Sequence, residues 1–81
     1  MTEKQKVYLI ARAILNGTAN KGDAAIIAET GVTIADLDKH YSLAETVIDK
    51  AMNKPERRPE GEEAIVAALT SWIDYYFPDL S

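Results

Sequence analysis

The sequence contains no cysteine, a single histidine and no apolar run longer than Ala64–Leu69. Without cysteine there is neither a disulfide framework nor a thiolate zinc site, and one imidazole cannot form a histidine cluster around a metal. The longest apolar run falls far short of the roughly 18 to 20 residues needed to cross a bilayer. The opening Met1-Thr-Glu-Lys-Gln-Lys6 also lacks the apolar segment of a signal peptide. These absences predict a soluble, cytoplasmic protein with no membrane partner, no metal and no cofactor.

Basic residues are missing from Pro59 onward. All nine Lys and Arg lie in residues 1–58 against eight acids, giving +1, whereas residues 59–81 hold five acids and no base, giving −5. The whole chain is at −4 with a sequence pI near 4.8, far from the pI above about 9 that marks a strongly basic nucleic-acid binder. Because the acid is concentrated in the tail, the first 58 residues stay near neutral and remain open to a nucleic-acid partner. A length of 81 residues with 47% hydrophobic content permits one compact domain with a modest core, too small for a multi-domain enzyme.

What is present is helical periodicity. Val7, Ile10, Ala11 and Ile14 recur at the spacing of one buried helix face, predicting a helix over about 2–15 that Asn16-Gly17 closes. After a short polar connection, Asp23–Thr30 reads as a second helix, anchored by Ile26 and Ile27 and stopped by Gly31. Thr33 and Asp36 then form a capping-box pattern that opens a third helix. A second such pattern, Ser42 and Glu45, predicts a fourth helix to about Asn53, carrying Leu43, Val47, Ile48 and Ala51. Residues 54–61, with two prolines, read as an exposed linker. Residues 62–81 follow as an acidic amphipathic helix ended by Pro78, with Glu60, Glu62 and Glu63 at its electropositive start. The expected architecture is therefore all-α: about five helices, with a helix-turn-helix unit over 1–53.

The stripe Ile65, Leu69, Trp72, Ile73 and Tyr76 on the last helix has two readings. It either packs back on the first unit as core, or forms a homodimer or host-protein interface.

The corner around Gly31 is the most specific feature, since a helix-turn-helix needs a positioning helix, a Gly able to take positive φ, an apolar residue next and a second helix. Ile26, Gly31, Val32 and Leu37 meet these demands. The stretch Thr30-Gly-Val-Thr-Ile-Ala-Asp-Leu-Asp-Lys-His-Tyr41 resembles the helix-turn-helix signature of TetR-type transcriptional regulators. Gly31, Val32, Leu37 and His40 are in register, with Thr33 and Tyr41 replacing Ser and Phe, and Glu45 and Val47 fall downstream where the family usually has Glu and Leu. The resemblance covers roughly residues 7–52. It departs at Ile27, in a shorter first connection, at Asp38 for a Tyr and at Ala44 for a Lys. The family's large ligand-binding domain has no counterpart here.

The resemblance implies a small DNA-binding regulator acting as a dimer without enzymatic activity; small size and a truncated likeness point to a phage or mobile-element origin. By that analogy Thr33 would bond a phosphate, Ile34, Ala35 and Asp36 would face base edges, and Lys39 and His40 would meet the backbone. Lys21, with Lys4, Lys6, Lys39, Arg57 and Arg58, would supply phosphate attraction. His40 also reads simply as a histidine at a helix end. A second class of function is an acidic protein-interaction module or inhibitor on a helix-turn-helix scaffold that has lost DNA binding. Asp36, Asp38 and the acidic tail motivate it.

Overall fold

The computed structural model describes residues 1–53 and 59–78, and among them the secondary structure is entirely helical. Four α-helices follow in order: α1 (Glu3–Leu15), α2 (Asp23–Thr30), α3 (Ile34–Met52) and α4 (Glu62–Tyr76). Most of the linker expected at 54–61, including Arg57 and Arg58, lies outside the described residues.

Helix α1 opens on a reciprocal cap. The Gln5 N–H donates to Thr2 Oγ1 at 3.1 Å, and the Thr2 N–H donates to Gln5 Oε1 at 2.8 Å, satisfying two amides that a helix start otherwise leaves unpaired. Val7, Ile10, Ala11 and Ala13 are buried. At the other end Gly17 takes φ +89°, and the Asn16 side chain accepts from both the amide and the hydroxyl of Thr18. The connection beyond it tightens into one 3₁₀ turn, Thr18–Lys21.

Helix α2 begins at Asp23 behind Gly22 and buries Ile26 and Thr30. Gly31, at φ +79°, turns the chain out of it, a conformation that costs a residue with a Cβ about 1 kcal/mol or more. The Thr30 hydroxyl donates to the Ile26 carbonyl and accepts from the Val32 amide. Val32 thereby drops into the core, and Thr33 is placed to cap α3.

Helix α3 departs from the sequence-based division. It runs unbroken for 19 residues, so the helix expected to begin at Ser42 is its continuation and the Ser42–Glu45 cap does not form. Two physical reasons account for this. No Gly or Pro interrupts residues 34–52, and a Ser inside a helix costs only about half a kcal/mol relative to Ala. Leu37, His40, Ala44, Val47 and Ala51 also form a continuous buried seam at 3–4 spacing, which a break would put out of register. The Thr46 hydroxyl donates to the Ser42 carbonyl within the same helix.

Helix α4 packs on both α1 and α3. It runs antiparallel to α1, with Lys4 bridged to Asp74 at 2.9 Å near one end and Arg12 to Glu62 at 2.5 Å near the other. Leu69 and Ile73 are buried, while Ile65, Trp72 and Tyr76 are half-buried against the same core. Leu69 and Ile73 therefore belong to this chain's own interior, as the core reading of the stripe has it, and the alternative that places these two at a partner or dimer interface is corrected. The cause is area: α1–α3 have an open apolar flank, and the stripe on α4 closes it. The Phe77 amide donates to the Ile73 carbonyl as the helix ends, and Pro78 follows.

If α4 is an integral part of the core, Leu69→Ala lowers unfolding free energy by about 2–5 kcal/mol, whereas Ser71→Ala, at an exposed position of the same helix, changes it by less than about 0.5 kcal/mol. Urea denaturation followed by circular dichroism measures both. Equal midpoints for the two variants would mean that α4 does not contribute to cooperative folding.

Candidate functional site

The corner formed by α2, Gly31 and α3 presents the residues that the sequence singled out, and their environments divide sharply. Thr33, the cap of α3, and Ile34, Ala35 and Lys39 on it are exposed, Ile34 to 52%, and Lys21 is exposed in the turn before α2. Asp36 and His40 are not available in the same way.

Asp36 turns back into its own helix start. Its Oδ2 accepts from the Thr33 amide at 3.1 Å and its Oδ1 from Lys6 Nζ at 3.0 Å. The Thr33 amide, followed by the Lys6 ammonium, holds this carboxyl down at about 2. Its expected place against a base edge is thus corrected: both oxygens already have donors, one from the cap and one from α1. A carboxylate at the third position of the first turn reaches the cap amide by geometry, and this draws it away from the outer face.

His40 is only 3% exposed. Its Nε2–H donates to the Glu3 carboxylate of α1, and the Phe77 ring lies edge-on with centroids 6.2 Å apart. A contact with a DNA backbone is therefore corrected to an internal tie between α1 and α3. Position 40 falls on the buried seam, three residues after Leu37 and four before Ala44, so the imidazole must point inward and find a partner there. The bond to His40 in turn holds the Glu3 carboxyl below its ordinary range.

Lys6 links the two ties. Its ammonium lies 3.0 Å from Asp36 and 3.7 Å from Glu3, and the bond to Asp36 raises its pKa. Thr33, Asp36, Lys6, Glu3 and His40 thus form one polar chain across the α1–α3 junction, taking up a cation that the sequence had offered to phosphate. Lys4 is likewise engaged, by Asp74. Among the described residues, Lys21, Lys39 and Lys50 make no ion pair.

A feature not recognised from the sequence is a groove of about 350 Å³ beside α3, where Asp23, Asp38 and Glu45 converge around Leu37, Tyr41 and Ser42. Asp38 and Glu45 are seven residues apart on one helix, which is the signal that could have found the pair. Asp23 joins them through the corner, which no local pattern encodes. Among the described residues, no group of three or more His, Asp or Glu side chains is placed to hold a metal, and no helix is long and apolar enough to cross a membrane.

No protein-family model, curated protein or solved structure matches the chain.

Folding lowers the Asp36 pKa from 3.8 to about 2, so the ionised carboxylate stabilises the fold above pH 4 and that contribution is lost as pH falls towards 2. In Lys6→Met, the Asp36 carboxyl titrates higher than in the parent protein but still below 3.8, because the Thr33 amide remains. Carboxyl carbon shifts followed by NMR report both values. An identical Asp36 titration in the two proteins would contradict the Lys6 contact.

Proposed function

We propose that this chain is a small protein-interaction module built on a helix-turn-helix scaffold, with the outer face of the α2–α3 corner as its contact surface. The observation that carries the reading is the convergence of Asp23, Asp38 and Glu45 at that corner. In helix-turn-helix docking the first helix crosses the phosphate backbone and the second lies in the major groove. Carboxylates at the start of α2 and along α3 would meet phosphates with like charge.

The supply of cations points the same way. With Lys4 paired to Asp74 and Lys6 to Asp36, Lys21 and Lys39 are, among the described residues, the exposed bases at or beside the corner. Two phosphate contacts give a log–log salt slope of about −2, whereas proteins making 6–10 such contacts gain several orders of magnitude in affinity at low salt. The exposure of Thr33, Ile34, Ala35 and Lys39 favours a second reading, a transcriptional regulator on duplex DNA. With so few phosphate contacts, that reading requires a dimer on two half-sites or a partner protein.

Amide spectra recorded during titration with a mixed-sequence duplex separate the two. The interaction-module reading expects no shifts over residues 33–49 at about 0.15 M salt. It also expects Asp38→Lys combined with Glu45→Lys to raise duplex affinity at low salt by at least about tenfold, as two repulsions become two phosphate contacts. Shifts over residues 33–42 in the parent protein that fade as salt rises would overturn it in favour of DNA binding.

A further inference from the structure

The continuity of α3 creates a surface that a broken helix would not have. Ala35, Asp38, Ser42, Glu45 and Asp49 are all exposed, and their 3–4–3–4 spacing places them along one line of the helix. This is the spacing at which one helix meets another in a two-stranded coiled coil. At 1.5 Å per residue the line is roughly 21 Å long, and it lies away from the seam buried against α1 and α4.

We infer that this line is a docking seam for a basic helix of a partner protein, an inference that rests on the interaction-module reading above. Ala35 and Ser42 are small enough to let another helix approach closely, and between and beyond them Asp38, Glu45 and Asp49 present carboxylates at successive contacts. Among the described residues, Asp38 and Glu45 have no ion-pair partner, and the Asp49 carboxylate accepts only from the Asn53 side-chain amide, at 2.8 Å. Ile34, 52% exposed beside Ala35, adds an apolar anchor at one end. Charge complementarity selects the occupant. A second copy of α3 would bring the same carboxylates against these and be repelled, whereas a helix with Arg or Lys at 3–4 spacing and one apolar residue over Ile34 matches both features. Exposed ion pairs contribute little singly, so register and the apolar anchor give the seam its selectivity.

The test uses the full chain and two synthetic helical peptides of about 18 residues and identical composition. One carries Arg at 3–4 spacing with a terminal Leu, and the other has the Arg positions scrambled around the helix. At about 0.15 M salt the registered peptide is expected to bind at least tenfold more tightly, with amide shifts confined to residues 34–49. Ser42→Tyr, which fills the close approach without altering charge, is expected to abolish that preference while leaving the circular dichroism spectrum unchanged. Equal affinity for the two peptides, shifts centred on α1 or α4, or no binding would overturn the inference. So would concentration-dependent self-association perturbing the same amides, which would make the second copy the occupant. Duplex DNA added to a parallel sample keeps the two readings apart. Shifts with DNA sink the interaction-module reading, whereas peptide parity without a DNA response sinks only the basic-helix seam.

Discussion

The rest of the structure depends on how closely α1 lies along α3. Both helices contribute fully buried alanines to the core, Ala11 and Ala13 from one and Ala44 from the other, beside Val7, Ile10, Leu37 and Val47. Small side chains bring helix axes together, and that proximity brings the polar ends of Lys6 and Glu3 within reach of Asp36 and His40. The polar chain is therefore a consequence of apolar packing. Its members are paired in turn, so the packing is not opposed by a buried orphan; among the described residues no buried side-chain nitrogen or oxygen lacks a partner. Helix α4 then closes the remaining apolar flank, its approach to α1 aligned at both ends by ion pairs with Lys4 and Arg12.

How far this could be read in advance varied with how local the cause was. Gly31 and the Thr33–Asp36 cap were legible because their partners lie within a few residues and each satisfies a backbone need. Ser42–Glu45 has the same local form and misleads, because a capping pattern states that a helix could begin but not that the preceding one has reason to stop. The seam from Leu37 to Ala51 decides the matter, and it is visible only when the whole 19-residue stretch is considered at once. His40 misleads for the opposite reason. Its seam position was present in the spacing, but its partner, Glu3, is 37 residues away, and nothing local indicates that a buried imidazole will be satisfied from that distance.

Asp36 and Asp38 show how little separates an internal residue from a surface one. They are two positions apart on the same helix, about 200° around its axis at 100° per residue. The first faces the cap amide and Lys6, and becomes part of the fold. The second faces outward and becomes part of the groove with Asp23 and Glu45. A reading that treats both as one acidic feature of the recognition helix averages two environments that share nothing but the residue type.

The same distinction governs the charge of the unit as a whole. Near neutrality in the count of residues does not give a neutral face, because the cations are not distributed like the acids. Lys4, Lys6 and Arg12 all lie on α1 and are bridged to Asp74, Asp36 and Glu62; the Lys6–Asp36 pair is half-buried at the α1–α3 junction, whereas the other two reach exposed carboxylates on the flank of α4. Asp23, Asp38, Glu45 and Asp49 are not compensated by an ion pair among the described residues, and they lie on the outward side of the corner. Asp23, Asp38 and Glu45 line the groove, and none of its lining residues is basic, so the potential within it is more acidic than the arithmetic of the first 58 residues implies. Folding itself gathers Asp23, Asp38 and Glu45 beside α3 while it pairs Asp36 with Lys6 across the α1–α3 junction, so carboxylates close in sequence end in unlike surroundings.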